Sequence, residues 1–128
     1  MNQRKLIKKG IILCLVYSLI FFISFLNTSA QEINWVKVAN VNNEYEFIDI
    51  NSIKYNNVGI LLVKAKYSET TPNYQKDINS QTYLMAIDCN NRLYSNLPID
   101  SEINKVKEWK RPTNNKLIKT SIINICSY

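Results

Sequence analysis

Hydrophobic and polar residues alternate with a period of two through most of the chain after residue 33, and this pattern predicts β-strands. In the clearest example, Leu61, Val63, Ala65 and Tyr67 share one face, while the opposite face becomes polar along the strand. Such a pattern is typical of an antiparallel sheet with one face against a core and one face in water. The predicted strands cover residues 34–39, 44–50, 60–68, 82–89, 92–97 and 103–110. We expect the last of them at an edge, where its charges discourage further pairing.

Polar segments separate these strands. Residues 40–43 and the pair Asn90-Asn91 have the composition of tight turns. Residues 53–55 can form a short extension before the turn at residues 56–59. Residues 69–80 are polar and contain Pro72, so they are interpreted as a long loop.

The period of the pattern changes after Pro112, where a helix is predicted. Ile118, Ile122 and Cys126 are four residues apart and therefore lie on one helical face. Thr113 or Asn114 could cap this helix. Because isoleucine is a poor helix former, burial against the sheet must hold the helix. The predicted fold is α+β: an antiparallel sheet of about six strands with a C-terminal helix packed on one face.

The first thirty residues have the layout of a secretory signal peptide. Basic residues at positions 4, 5, 8 and 9 precede an apolar run, and small residues ending at Ala30 offer a cleavage point. A retained membrane anchor is the alternative, because residues 10–26 would span about 26 Å as a helix, close to the roughly 30 Å core of a bilayer. We interpret residues 1–30 as a signal peptide and residues 31–128 as a single exported domain.

Removal of residues 1–30 changes the charge of the protein. The full chain carries a net charge of +6, but the signal segment holds four of its sixteen basic residues and none of its ten acidic ones. The exported domain therefore has twelve basic and ten acidic residues. A strongly basic domain would suggest a nucleic-acid partner, whereas this one is nearly balanced, and we expect no nucleic-acid partner.

The cysteine count changes in the same way. Cys14 lies in the signal segment, which leaves Cys89 and Cys126 in the exported domain. An even number of cysteines in an exported chain indicates a disulfide, and two buried free thiols are the alternative. A bond between Cys89 and Cys126 would tie the predicted helix to the end of a central strand.

Several short stretches, taken in order, resemble the surface-adhesin protein E family of exported bacterial domains. The resemblance implies an antiparallel sheet with a C-terminal helix tied across one face by the disulfide. It also implies a non-enzymatic binding module with adhesin-like contacts to extracellular or host matrix proteins. The stretches are Trp35-Val36-Lys37-Val38, Tyr45-Glu46-Phe47-Ile48-Asp49, Ser52-Ile53, Asp88-Cys89, Trp109 with Pro112, and Ile125-Cys126.

The sequence gives little support for an enzyme. It contains no histidine, the usual general base of catalytic triads and a common zinc ligand. Asp49 and Asp88 could pair as acid and base. Asp49 is better explained as a cap for the turn at Asn51-Ser52, and Asp88 as the solvated end of its strand. We therefore predict no catalytic residue, no cofactor and no metal site.

A basic segment near the C-terminus is the candidate surface for a partner. It could bind an acidic protein, a sulfated polysaccharide or an anionic membrane surface. The alternative is a solvated edge that prevents aggregation. Tyr74, in the predicted loop, is a lesser candidate contact. The candidate residues are Lys105, Lys107, Trp109, Lys110, Arg111, Lys116 and Lys119, with Glu108 as the one acid among them.

Two classes of function follow from these observations. The first is an exported binding module with a protein or an acidic polysaccharide as its partner. The second is a structural or accessory protein of the periplasm. The predicted location is the periplasm, the cell surface or the medium, and the sequence leaves the ligand and the oligomeric state open.

Overall fold

The computed structural model describes residues 2–25, 30–73 and 76–128, and contacts divide the chain into two compact units. The first unit, Met1–Gln31, contains helix α1 (Asn2–Phe25). Within α1, Asn2–Ile23 is long and apolar enough to cross a membrane, with a mean hydropathy of 2.2. An N-terminal signal sequence has the same character, so α1 is consistent with the predicted signal peptide.

The second unit, Glu32–Tyr128, is built on a six-stranded antiparallel sheet followed by a C-terminal helix. The main strand order is β1-β2-β4-β5-β6, and the short β3 pairs with β4. The elements are β1 (Trp35–Val41), β2 (Glu44–Asp49), β3 (Lys54–Tyr55), β4 (Ile60–Thr70), β5 (Asp77–Asp88), β6 (Leu93–Leu97) and α2 (Lys116–Ile125). The predicted fold class is confirmed.

The first hairpin joins β1 and β2 through Asn42 and Asn43, whose φ angles are 49° and 66°. Asparagine tolerates this left-handed region, and two such residues suit a tight hairpin turn. The register shifts between Lys37 and Ala39, which marks a β-bulge. Because of the bulge, Val38 and Ala39 are both buried although they are adjacent in sequence.

The main core lies between one face of the sheet and α2. Leu61, Val63 and Ala65 are fully buried on this face, as their alternation predicts. From α2, Ile118 and Ile122 pack into the same cluster, as their spacing predicts. Full burial of each large aliphatic side chain stabilises the fold by about 1.5–3 kcal/mol, enough to offset the poor helix propensity of isoleucine. The cluster also contains Val38, Ile48, Met85, Ile87 and Ile125.

Both ends of α2 are fixed by specific contacts. At its N-terminus the side chain of Asn115 accepts a hydrogen bond from the backbone N–H of Ile118 at 3.0 Å. The predicted caps, Thr113 and Asn114, are therefore wrong, because the cap is the residue directly before the first helical turn. At its C-terminus, Cys126 is bonded to Cys89 with a Cα–Cα distance of 5.7 Å, and the predicted disulfide is confirmed.

A smaller cluster covers part of the opposite face of the sheet. Leu84, Ala86 and Leu97 are buried there under Val106 and Trp109 from the segment that follows β6. Val106 and Trp109 are three residues apart, so a regular strand would point them in opposite directions. Since both pack on the sheet, the chain between them cannot be extended throughout.

The predicted strand at residues 103–110 is accordingly wrong. Ile103–Lys105 forms a 3-10 turn, and Lys110 makes an isolated bridge to Tyr94. The two backbone hydrogen bonds of this bridge are 3.0 and 2.8 Å long. The sixth strand of the sheet is instead Lys54–Tyr55, which lies within the short extension predicted at residues 53–55.

The predicted loop at residues 69–80 is wrong over half of its length, because residues 69–70 and 77–80 extend the hairpin of β4 and β5. The ladder continues through Ser68 and Ser80, with a register shift between Glu69 and Thr70. The first six residues of β5 are exposed, so no burial pattern marks them as a strand. Tyr74, the lesser candidate contact, lies outside the described residues.

Candidate partner-binding site

The structure divides the predicted basic segment between two concavities. Lys105, Lys107 and Lys110 line a cleft of about 810 Å³ beside β6. Three acidic side chains line the same cleft, so its charge is nearly balanced. They are Asp100, Glu102 and Glu108.

The second concavity collects cations from three separate segments. Arg111 and Lys119 lie there with Arg92, which comes from the turn between β5 and β6. We call this site of about 170 Å³ the basic concavity. Its other lining residues are Pro112, Thr113, Ile122 and Ile123, and none of the described residues that line it is acidic.

Arg92 was not predicted as a site residue, because it lies about twenty positions before Arg111 in the sequence. A fixed turn positions it. Asp88 accepts hydrogen bonds from the backbone N–H and the side-chain amide of Asn91, at 3.1 and 2.7 Å. These donors, the side-chain amide first, lower the pKa of Asp88. Arg92 follows directly with a φ of 53°, so the turn geometry determines the position and direction in which its side chain leaves the backbone.

The disulfide connects two of the three segments that line the basic concavity. Cys89 lies in the turn of Arg92, and Cys126 follows the helix of Lys119. Lys116, the other predicted helical cation, is exposed and lies one turn before Lys119. Helix α2 contains no acidic residue. The two charged side chains of the helix, Lys116 and Lys119, are therefore both basic, and Ile123, 51% exposed, adds an apolar side chain to the exposed side.

Trp109 is half-buried against the small cluster of Leu84, Ala86 and Leu97. Its indole covers the sheet face that α2 does not cover. This packing gives Trp109 a structural role in addition to its predicted role in partner binding.

The two aspartates considered as an acid–base pair are each engaged in a turn of their own. Asp49 is 2% exposed and accepts hydrogen bonds from the backbone N–H groups of Asn34 and Asn51, at 3.0 and 3.1 Å. It caps the 3-10 turn at Ile50–Ser52, as predicted. Among the described residues, no group of three or more histidine, cysteine, aspartate or glutamate side chains could hold a metal ion.

A buried carboxylate on β2 was not predicted as a site. Glu46 is fully buried and its Oε1 accepts a hydrogen bond from the hydroxyl of Tyr83. Its Oε2 has no hydrogen-bond partner among the described residues. Burial raises the pKa of Glu46 to about 7, against a smaller lowering by the Tyr83 hydroxyl. The only signal in the sequence is that Glu46 alternates in phase with Ile48, which places both on the core face.

Lysine side chains lie over aromatic rings on the other face of the sheet. Lys66 Nζ is 5.1 Å from the ring centroid of Trp35 and 5.0 Å from that of Phe47. Lys37 Nζ is 5.4 Å from the ring centroid of Tyr45. Each contact of this kind at an exposed site contributes about 0.5–1 kcal/mol. They orient the lysines along the surface, and the hydrophobic rings are partly covered as a result.

The sequence of this domain matches one known protein family. The family model of the surface adhesin-E family matches residues 36–128, which extend from β1 to the C-terminus and include both cysteines of the disulfide. The chain belongs to the surface adhesin-E family. The resemblance noted in the sequence is thereby confirmed, and this adhesin-E domain is an adhesin-like surface protein. No curated protein and no solved structure matches the chain. Family membership and the apolar helix α1 both agree with export.

Proposed function

We propose that this adhesin-E domain is an exported, non-enzymatic binding module that holds anionic groups of an extracellular or host matrix component in the basic concavity. The observation that carries the proposal is the meeting of Arg92, Arg111 and Lys119 around one apolar floor. Arg92 joins two cations that lie about twenty or more positions later in the sequence. A surface that only kept the protein soluble would have no need of such convergence.

The chemistry of the lining suits a sulfate or a carboxylate. Arginine offers a planar set of donors that can bind an anion through two parallel hydrogen bonds. Two of the three cations are arginines. The apolar floor of Ile122 and Ile123 can contact the carbon framework that carries the anion.

The disulfide supports this function by holding the concavity in shape. It links the turn of Arg92 to the end of the helix that bears Lys119. Binding to a preorganised site costs less conformational entropy than binding to a mobile one. The mixed-charge cleft of Lys105, Lys107 and Lys110 is not part of the proposed contact.

The direct test is binding of the exported protein to immobilised heparin and to matrix glycoproteins at low and high salt. Surface charge interactions weaken as the Debye length falls from about 10 Å at 0.1 M salt to about 3 Å at 1 M. We expect saturable binding at low salt that is lost at high salt. Absence of binding at low salt, or binding that salt does not change, contradicts the proposal.

A protease added to intact cells separates the binding module from the periplasmic alternative. An adhesin exposed at the surface should be degraded while a periplasmic marker protein stays intact. Protection of the adhesin-E domain until the outer envelope is permeabilised would favour the accessory role in the periplasm.

A further inference from the structure

The sheet face that carries the main core extends beyond the N-terminus of α2, and polar residues cover it there. Glu44 and Glu46 of β2 lie two residues apart and share this face. Register pairs Glu46 with Tyr67 of β4, and Ala65, two residues before Tyr67, pairs with Tyr83 of β5. The two carboxylates and the two phenols therefore project from the same side of three neighbouring strands.

These four side chains line a cleft of about 540 Å³, which we call the carboxylate cleft. Each phenol donates a hydrogen bond to one carboxylate. Tyr67 donates to Glu44 Oε1 at 2.7 Å, and Tyr83 donates to Glu46 Oε1. The cleft is completed on the side of α2 by Asn115 and Ile118, and on its other sides by Gln81 and Tyr94 among others.

Glu46 is the unusual member of this group. It lines the cleft, it is fully buried, and its Oε2 has no partner among the described residues. A buried polar atom without a hydrogen bond costs about 1–3 kcal/mol, and more when the group is charged. Native proteins keep few such atoms, and each calls for an explanation. A ligand that donates to Oε2 would supply the missing partner.

We propose that the carboxylate cleft binds an organic cation, an alkylammonium or guanidinium group, with Glu46 and Glu44 as its counter-charges. A cationic donor is the complement of a buried carboxylate oxygen, and charge-assisted hydrogen bonds are about twice as strong as neutral ones. The rings of Tyr67 and Tyr83 can add cation–π attraction. No lysine or arginine is among the described residues that line the cleft, so none competes for the carboxylates.

The N-terminus of α2 also borders the cleft and carries a partial positive charge, which disfavours a cation. Its effect is reduced because Asn115 caps the Ile118 N–H with its own oxygen. When both carboxylates are ionised, their two charges therefore outweigh the roughly half charge of the helix end. Inorganic anions, which favour helix N-termini, are repelled from this cleft for the same reason.

Protons compete with the cation for Glu46. Burial raises its pKa to about 7, so the carboxyl group is largely protonated at pH 6 and largely ionised at pH 8. The phenols of Tyr67 and Tyr83 have raised pKa values, chiefly through burial, and stay protonated throughout this range. The other titratable groups that face the site are Glu44, Glu69 and Tyr94, and none comes from the part of α2 that lines it. Affinity should therefore rise by about tenfold from pH 6 to pH 8.

The test is calorimetric titration of the exported protein with spermidine and, separately, with a tetralysine peptide. Wild type is compared with Glu46→Gln, which keeps the shape and removes the charge. Glu102→Gln is the matched control, because it removes the same charge from the other cleft. We expect saturable binding at pH 8, a loss of at least about tenfold in Glu46→Gln, and a change under about twofold in Glu102→Gln.

The two probes separate two sources of the same chemistry. Binding of spermidine alone identifies a free polyamine, and binding of tetralysine alone identifies a basic peptide; either result supports the proposal. Backbone amide resonances of Gln81 and Tyr83 in the wild-type protein should shift on titration, which provides a readout that needs no variant. Absence of saturable binding by both probes at pH 8, or equal affinity in wild type and Glu46→Gln, overturns the proposal. This site is separate from the basic concavity, so the two proposals stand or fall independently.

Discussion

Cys126 caps the C-terminal end of α2 and is covalently bonded to Cys89, the first residue after β5. Helix α2 packs mainly on β1 and β2, at one edge of the sheet, whereas β5 lies near the opposite edge. Asn124 adds a hydrogen bond from its side-chain amide to the carbonyl of Val38 in β1, at 2.6 Å. The end of the helix is therefore held to both halves of the sheet.

Replacing either cysteine of this bond by serine should lower the free energy of unfolding by about 2–5 kcal/mol. The bond closes a loop with a sequence separation of 37 residues, and its removal frees the unfolded chain. Urea denaturation of Cys126→Ser against wild type measures the loss. A wild-type protein whose stability does not change on reduction would contradict a stabilising role for the bond.

Stability should fall as pH rises from about 5 to 7.5, because Glu46 titrates in this window. Its folded-state pKa is about 7 and its ordinary value is 4.5, so the folded protein binds the additional proton. The contribution of Glu46 to the free energy of unfolding is fully present at low pH. It is lost as pH rises through the folded-state pKa, and the total loss is about 3 kcal/mol. Urea denaturation across this range measures the slope. Glu46→Gln should be nearly flat, and an equal slope in both proteins would contradict the assignment.

Trp109→Ala should destabilise the fold by about 2 kcal/mol, less than the 3–5 kcal/mol of a fully buried tryptophan. The half-buried indole covers Leu84, Ala86 and Leu97, and its loss exposes them. Lys107→Ala, two residues away and exposed, is the control, with an expected change within about 0.5 kcal/mol. Unchanged stability in Trp109→Ala would leave the indole available for a partner instead.

The exported protein should begin at Gln31. Basic residues, the apolar helix α1 and the small residues ending at Ala30 predict cleavage at this point. Intact-mass spectrometry of the purified protein checks the prediction. A mass that corresponds to all 128 residues would show that α1 is retained as an anchor.

The sequence predicts those strands and helices that have one buried face and one face exposed to solvent. Leu61, Val63 and Ala65 alternate against polar residues, and Ile118 and Ile122 repeat at helical spacing. Burial of one face requires hydrophobic residues at a regular spacing in such segments. The disulfide is predicted by the two cysteines that remain when the predicted signal segment is set aside.

The predictions are wrong where the burial of the side chains does not follow the alternation of a strand. Residues 77–82 form a strand by backbone pairing alone, with both faces exposed, so their side chains show no pattern. Residues 103–110 show a partial alternation, but Val106 and Trp109 both reach the sheet from an irregular backbone. In each case the missing information is the position of the neighbouring strand.

The candidate sites depend even more strongly on tertiary structure. Arg111 and Lys119 could be grouped from the sequence because they are close along the chain. Arg92 joins them only through the turn after β5 and the disulfide. Glu46 looks like an ordinary strand residue until Tyr83, 37 positions later, is found beside it.

The central claim, that the basic concavity is the partner-binding surface, is tested most directly by a matched pair of charge-reversal variants. Arg92, Arg111 and Lys119 are replaced by glutamate in one, and Lys105, Lys107 and Lys110 in the other, so both lose the same charge. The association rate constant with immobilised heparin is measured at low salt, after thermal melts confirm folding. We expect a loss of at least about tenfold in the first variant and under about threefold in the second. Equal losses in both variants, or none in the first, would contradict the claim.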